Sequence, residues 1–158
     1  MNPSPNNENL FYELVRIYTQ SPQCSALQMS YVCMDERIPT LSLPWREDLV
    51  GNAQSGVLHG GVITTLIDTA GAAAVAAHLA HTEALATIDL RIDYMRPAKP
   101  GERIFATSEC YRLSGQVAFT RTVCRSGNGD EPFALGTATY MRTPLPEHLL
   151  PEAARSAS

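Results

Sequence analysis

The longest apolar stretch of the chain, residues 60–81, predicts a buried central helix. At about 1.5 Å of rise per residue, this helix would be about 30 Å long. Its second half, residues 70–77, consists of alanine, glycine and one valine, so it can lie very close to a sheet or to another helix. The stretch contains Asp68 and lacks flanking aromatic or basic belts. Both features disfavour a membrane span, and we expect no membrane partner.

Alternating apolar and polar positions predict strands on both sides of that helix. Residues 27–33 and an interrupted segment over 38–52 precede it. Four strand candidates separated by turn residues follow it, at 88–94, 102–113, 117–123 and 133–142. In the first of these, one face is formed by Ile88, Leu90, Ile92 and Tyr94. We expect the four to form an antiparallel meander. Because the helix is apolar around its circumference, the sheet must wrap it, which gives an α+β fold.

The remaining segments add little to this core. A short amphipathic helix is predicted at about 9–19, and the Pro/Ala/Ser-rich tail 144–158 is expected to be flexible. No repeat or linker divides the chain. We therefore predict one domain over residues 1–158, with its core at about 25–143.

Composition narrows the class of protein and of partner. With 158 residues, 44% hydrophobic and 18% charged, the chain is typical of a globular protein, and its net charge of -4 argues against a nucleic-acid partner. Its four cysteines form no C-x-x-C pair or Cys/His cluster, so we expect no metal and no cofactor. The polar N-terminus shows no signal peptide, which predicts a cytoplasmic protein with reduced thiols. Residues 91–125 carry seven basic residues against three acidic ones. They either bind an anionic ligand or form ordinary solvent-facing rows.

The start of the predicted helix carries the candidate chemistry. Gly60 and Gly61 follow His59 where the helix begins, and a helix start offers free N–H groups that suit a developing oxyanion. A carboxylate inside an apolar helix, here Asp68, is costly to bury unless it is paired or used. The pattern predicts an electrophile clamp together with an acid/base or nucleophilic group. The alternatives are a solvent-facing aspartate and glycines that serve close packing. No G-x-S-x-G motif is present, which disfavours a serine hydrolase.

Four short segments resemble a known family. They are Gly56-Val57-Leu58-His59-Gly60-Gly61, Thr65-Leu66-Ile67-Asp68, Thr87-Ile88-Asp89-Leu90 and Tyr94-Met95-Arg96-Pro97-Ala98. Over residues 50–142 the chain is similar to the phenylacetic-acid-degradation (PaaI-type) acyl-CoA thioesterases. That family has the hotdog fold, in which a curved antiparallel sheet wraps a central helix. The resemblance implies hydrolysis of the thioester of an aryl- or medium-chain acyl-CoA to the free acid and CoA.

The resemblance also implies roles for individual residues. The Gly60 N–H polarises the thioester carbonyl, and His59 helps to position the thioester. Asp68 acts as general base or nucleophile, and Thr87 orients the attacking water. Asn52 is the candidate for the family's upstream asparagine, one residue farther from the histidine than the family spacing.

For substrate binding we expect contributions from the helix start and from the basic strands. Gly61 at the helix start is a candidate for substrate binding, and the candidates for the CoA phosphates are Arg96, Lys99 and Arg125. The candidates for the acyl pocket are Ile63, Leu66, Leu85 and Met95.

Spacing along the helix predicts that the site is shared between subunits. Gly60 and Asp68 are eight residues apart, which is about 12 Å of helix rise. A side chain that leans toward the N-terminus recovers only a few ångström. One helix therefore cannot bring both groups onto one carbon, whereas two antiparallel helices across a two-fold axis can. We predict a homodimer in which one subunit supplies His59 and Gly60 and the other supplies Asp68 and Thr87. The family usually pairs such dimers into tetramers.

Two other functions remain open at this point. A hotdog hydratase or dehydratase uses a catalytic histidine, but the helix carries none before His78. A non-catalytic acyl-CoA-binding protein would retain the fold without the chemistry. The presence of Gly60, Asp68 and Thr87 together favours the thioesterase.

Overall fold

The structure is a computed structural model that describes residues 11, 12, 14–16, 19–129 and 131–145. The helices for which both ends are described are a short one at Pro22–Ala26 and the central helix at Gly60–Ala76, and a 3₁₀ turn lies at Glu47–Leu49. The strands are β1 (Ser30–Asp35), β2 (Ile38–Leu43), β3 (Val50–Asn52), β4 (Val57–Leu58), β5 (Glu83–Tyr94), β6 (Ile104–Ser114), β7 (Val117–Ser126) and β8 (Ala134–Pro144). Of the helix predicted at 9–19, the described residues 11, 12, 14–16 and 19 are helical, and the others lie outside the described residues. So does the tail beyond residue 145.

One antiparallel sheet carries the fold, with strand order β1-β2-β6-β7-β8-β5. The central helix packs against one face of this sheet, mainly against β2, β6 and β7. The small β3–β4 ladder lies just before the helix, and β4 ends two residues before the helix begins at Gly60. The predicted α+β class, with an antiparallel sheet around a long central helix, is confirmed. Among the described residues, none of the helices combines the length and the hydropathy needed to cross a bilayer.

The predicted meander of four strands is wrong at β5. Strands β6, β7 and β8 are neighbours in sequence order, but β5 pairs with β8 and forms the far edge of the sheet. Nine residues, 95–103, connect β5 to β6, which is enough chain to cross the end of the sheet. Alternation shows which residues share a face but not which strands pair, so it does not reveal that β5 lies beside β8 and not beside β6.

The central helix is also shorter than predicted, because it ends at Ala76 and not near His81. The chain tightens after this point, where the N–H of His78 donates to the Val75 carbonyl and that of Leu79 to the Ala76 carbonyl. These three-residue steps end the helix and allow the chain to enter β5. An alanine run favours helix without marking its end.

The thin half of the helix lets the sheet approach closely. The ring of Tyr140 on β8 is 1% exposed and reaches under the helix at Gly71. A Cβ at Gly71 would overlap the Tyr140 hydroxyl and would lie 3.1 Å from Thr120 Oγ1. Glycine is therefore required at this position for steric reasons.

A buried ion pair joins the first residues of β5 to the last residues of β8. Arg142 donates from Nε and Nη2 to the two oxygens of Glu83, each at 2.8 Å. Glu83 is 6% exposed, and hydrogen bonding to this carboxylate raises the pKa of Arg142. Because this arginine–carboxylate pair is bidentate, it fixes the relative orientation of the two side chains. It helps to fix the register in which Thr87 lies opposite Tyr140.

Gly71→Ala is expected to lower the free energy of unfolding by about 1–3 kcal/mol, because the added methyl group overpacks the contact with Tyr140. Helix propensity alone would act in the opposite direction, by about 1 kcal/mol. Urea unfolding at one fixed protein concentration measures the difference. Combining Gly71→Ala with Tyr140→Phe, which removes the overlapping hydroxyl, should cost less than the sum of the two single changes. A Gly71→Ala variant as stable as the wild type would contradict the account.

Candidate active site

His59 caps the start of the central helix with its own ring. It has an extended backbone, with φ -62° and ψ 134°, and its Nδ1 accepts the Gly61 N–H at 3.0 Å. An accepting Nδ1 carries the lone pair, so the ring proton of the neutral imidazole is on Nε2. The exposed His59 ring therefore offers an Nε2–H donor to a ligand. Gly61 allows this cap, since a Cβ there would lie 3.1 Å from Nδ1.

The Gly60 N–H is the open donor of this helix start. The N–H groups of Gly61 and Val62 are taken by the Nδ1 and the carbonyl oxygen of His59, both at 3.0 Å. Among the described residues, none accepts a hydrogen bond from the Gly60 N–H. Tyr94 on β5 donates to the Gly60 carbonyl at 3.1 Å, which holds the first turn against the sheet. The N–H, together with the partial positive charge of the helix start, forms an anion-binding position.

Asp68 lies two turns farther along, where two hydroxyl groups converge on its carboxylate. Its Oδ1 accepts from Thr87 Oγ1 at 2.8 Å and from the Tyr140 hydroxyl at 3.3 Å. The Tyr140 hydroxyl also lies 2.9 Å from the Asp68 carbonyl oxygen. Asp68 is half-buried and Thr87 is exposed, so the carboxylate lies at the boundary between core and solvent.

A β-bulge in β5 turns Thr87 toward the helix. Thr87 pairs with Tyr140 on β8, but the register shifts before Asp89, and Ile88 is the extra residue. Without the shift, Thr87 and Asp89 would share one face of the strand. With it, Thr87 joins the inner row of the sheet, and the side chain of Ile88 is 54% exposed. The prediction that Ile88, Leu90, Ile92 and Tyr94 share one face of β5 is therefore correct from Leu90 onward and wrong for Ile88.

The chain is similar to thioesterases in sequence and in structure. Residues 55–133 match the family model of the thioesterase superfamily. The medium/long-chain acyl-CoA thioesterase YigI of Escherichia coli (strain K12) is 35% identical, over 73% of this chain and 82% of its own length. The chain belongs to the thioesterase superfamily. The hotdog thioesterase family predicted from the sequence motifs is confirmed.

Solved structures share the fold of this chain. A Pseudomonas aeruginosa protein superposes with a TM-score of 0.75 at 36% identity, over 84% of this chain and 99% of its own. The PaaI protein of Escherichia coli, from the phenylacetic acid degradation operon, gives a TM-score of 0.75 over 88% of this chain and 99% of its own. At 20% identity, this second likeness shows the fold alone. The predicted hotdog fold is confirmed.

The two groups of predicted site residues lie apart within one chain. His59 and Gly60 are at the first turn of the helix, while Asp68 and its hydroxyl partners are two turns later, about 12 Å along the axis. The structure places Thr87 within hydrogen-bonding distance of Asp68, as expected for two residues that one subunit supplies to the same site. It does not bring Asp68 to Gly60.

Asn52 has a local structural role. Its Oδ1 accepts the N–H groups of Gln54 and Ser55 at 3.0 and 3.1 Å, which stabilises the turn between β3 and β4. Its assignment to the catalytic site stays a prediction.

Two of the three predicted basic residues have acidic neighbours. Arg96 forms an exposed ion pair with Glu131, and this hydrogen bond lowers the pKa of that carboxyl. Lys99 Nζ lies 3.9 Å from Glu102 Oε1. Arg125 is half-buried on β7 and pairs with Phe105 across to β6.

The predicted acyl-pocket residues fall into two groups. Ile63 and Leu66 are 3% and 0% exposed and belong to the core. Leu85 is half-buried, and Met95, directly after β5, is 49% exposed. Among the described residues, no group of three or more His, Cys, Asp or Glu side chains could hold a metal ion.

Sequence reasoning missed the two tyrosines that bind the central helix. Tyr94 contacts the Gly60 carbonyl and Tyr140 contacts Asp68. The inner row of β8 is otherwise small, with Ala134, Gly136 and Ala138 all buried. The sequence feature that could have indicated this contact is the row itself, because Tyr140 is the one large polar side chain after three small residues.

Proposed function

We propose that this protein is an acyl-CoA thioesterase that hydrolyses an aryl- or medium-chain acyl-CoA to the free acid and CoA. The observation that carries the proposal is an open N–H at a helix start together with a hydroxyl-anchored carboxylate on the same helix. The name of the Escherichia coli relative, a medium/long-chain acyl-CoA thioesterase, supports the acyl-CoA class.

The helix start would bind the thioester carbonyl oxygen. The Gly60 N–H donates to this oxygen, and the Nε2–H of His59 is a second donor beside it. Negative charge grows on the oxygen as the carbonyl carbon becomes tetrahedral. Donors that are already fixed in place stabilise that charge without reorganisation.

Asp68 would supply the reacting group by one of two routes. As general base, it removes a proton from water, whose oxygen attacks the carbonyl carbon. As nucleophile, it attacks the same carbon, and water then hydrolyses the mixed anhydride. In both routes the carbon–sulfur bond breaks, and the CoA thiolate leaves and takes up a proton. Thr87 donates its own proton to Asp68, so its oxygen lone pairs can accept a hydrogen bond from the water.

A homodimer would complete the site. The helix rise keeps Gly60 away from Asp68 within one chain, so a substrate must contact the helix start of one subunit and the carboxylate of the other. Strand β5, 12 residues long, is an edge strand with β8 as its neighbour. A long open edge is a template for pairing with a second copy. Ile88, Tyr94 and Met95 at this edge are each about half exposed, which favours coverage. A pairing of two such dimers into a tetramer is part of the proposal.

Arg96, Lys99 and Arg125 are the residues we propose for the CoA phosphates. Arg96 and Lys99 would exchange Glu131 and Glu102 for phosphate oxygens. Met95 and Leu85, nearer to the open edge than Ile63 and Leu66, are the stronger candidates for contact with the acyl group.

A cytoplasmic location is supported by the cysteines. All four lie in the described part of the chain and carry free thiols, and burial raises the pKa of the Cys124 thiol to about 12. Unpaired, protonated thiols suit a reducing compartment.

Release of CoA thiol from a panel of aryl- and medium-chain acyl-CoAs tests the activity. We expect turnover with the wild type, and Asp68→Asn should lower kcat by about a hundredfold or more with a small change in KM. The side chain of asparagine has the same size and still accepts the Thr87 proton, so the fold is kept. Wild-type turnover in Asp68→Asn would remove this residue from the chemistry. Binding of acyl-CoA without thiol release by the wild type would show a non-catalytic binding protein.

Gly60→Pro deletes the proposed oxyanion donor without disturbing the helix. Proline suits the first helical position, and the extended backbone of His59 suits a residue before proline. We expect kcat to fall by about 10²–10³. Gly60→Ala is the matched control, because it keeps the N–H and its Cβ would lie 3.5 Å from the Tyr94 hydroxyl oxygen, an ordinary contact. Equal losses of activity in the two variants would show that the N–H is not the donor.

A further inference from the structure

The two hydroxyl groups on Asp68 come from neighbouring strands of the sheet and differ in exposure. Thr87 is exposed to solvent, whereas Tyr140 is 1% exposed and lies in the core. Both reach Oδ1, at 2.8 and 3.3 Å. Among the described residues, no donor reaches Oδ2. The carboxylate is thus held by one oxygen while the other stays open.

Packing fixes the position of the Tyr140 hydroxyl. The ring lies in a core cluster with Val75, Cys110 and Ala118, and Gly71 leaves room for the hydroxyl beneath the helix. The hydroxyl lies 2.9 Å from the Asp68 carbonyl oxygen and 3.3 Å from Oδ1, so its one proton is shared between a backbone and a side-chain acceptor of the same residue. A ring enclosed in this way cannot turn away from Asp68 without opening the core.

Tyr140 is suited to donate and not to exchange its proton. Burial, with the nearby Asp68 charge as a smaller cause, raises the pKa of the phenol well above its usual value. The phenol therefore stays protonated and serves as a donor throughout the pH range in which the protein is assayed. A tyrosine that stays protonated can donate a hydrogen bond to the Asp68 carboxylate, but it cannot take a proton from that carboxyl group as a base.

We infer that Tyr140 is a positioning residue for the reaction: its hydroxyl anchors Asp68 Oδ1 from the core side, so that Oδ2 faces the water or the thioester carbon. This inference rests on the proposed thioesterase function. Thr87 is the solvent-side member of the same anchor and is the member that can also touch the water. Tyr140 touches no substrate and acts only through Asp68. A carboxylate with one fixed oxygen has fewer orientations to lose when it reacts.

Tyr140→Phe removes the hydroxyl and keeps the ring, and its kinetics test the inference. We expect kcat to fall about tenfold or more, which is the range for loss of one hydrogen bond to a charged group, while KM stays within about twofold. Tyr140→Met also removes the hydroxyl and fills part of the space of the ring with a flexible apolar chain, and it should give the same separation of kcat from KM. Full kcat in a folded Tyr140→Phe or Tyr140→Met variant overturns the inference.

Two comparisons separate positioning from a structural role. Thr122→Val deletes another buried hydroxyl, 2.9 Å from Ser108 Oγ, and should lower stability while keeping kcat. In the Asp68→Asn background, Tyr140→Phe should cause no further loss of residual activity, because the group it positions is absent. A further loss there overturns the inference, as does an equal kcat loss in Thr122→Val. If the wild type releases no thiol from any acyl-CoA, the proposed function itself fails. If the wild type is active and Tyr140→Phe matches it, only this inference fails.

Discussion

The spacing of eight residues from Gly60 to Asp68 along one helix is the constraint on which the rest of the arrangement depends. The helix start provides an open N–H, and the carboxylate lies two turns away, about 12 Å along the axis. Gly60 is exposed, and Asp68 is half-buried against the sheet, where its carboxylate bonds Thr87 and Tyr140. A small electrophile cannot contact both unless a second helix runs antiparallel to the first. This distance is the reason that the proposed chemistry requires two subunits.

Different contacts hold the helix start and the Asp68 carboxylate in position. At the helix start, the hydroxyl of Tyr94 holds the Gly60 carbonyl, and the ring of His59 satisfies the next N–H. At the carboxylate, a bulge turns Thr87 inward so that it meets Tyr140 across the β5–β8 pair. Gly71 then allows that tyrosine to lie beneath the helix. These contacts need a close approach of helix and sheet, which is why the second half of the helix consists almost wholly of alanine and glycine.

Much of this arrangement could be predicted from residues that act locally. The apolar stretch gave the central helix, and the His59-Gly60-Gly61 start with Asp68 and Thr87 gave the family and the candidate chemistry. Features set by distant pairing could not be predicted. The position of β5 beside β8 and the bulge at Ile88 depend on register, which alternation does not contain. The end of the helix at Ala76 depends on how the chain must turn, and the contact of Tyr140 with Asp68 depends on the close packing at Gly71.

The most direct test of the shared site is a heterodimer of two inactive variants. Gly60→Pro and Asp68→Asn subunits carrying different affinity tags are produced together, and dimers holding both tags are purified. Each such dimer has one intact site, formed by the helix start of the Asp68→Asn subunit and the carboxylate of the Gly60→Pro subunit. The shared site predicts thiol release at about half of the wild-type rate per dimer, because one of its two equivalent sites is intact. A heterodimer no more active than its two parents would contradict it.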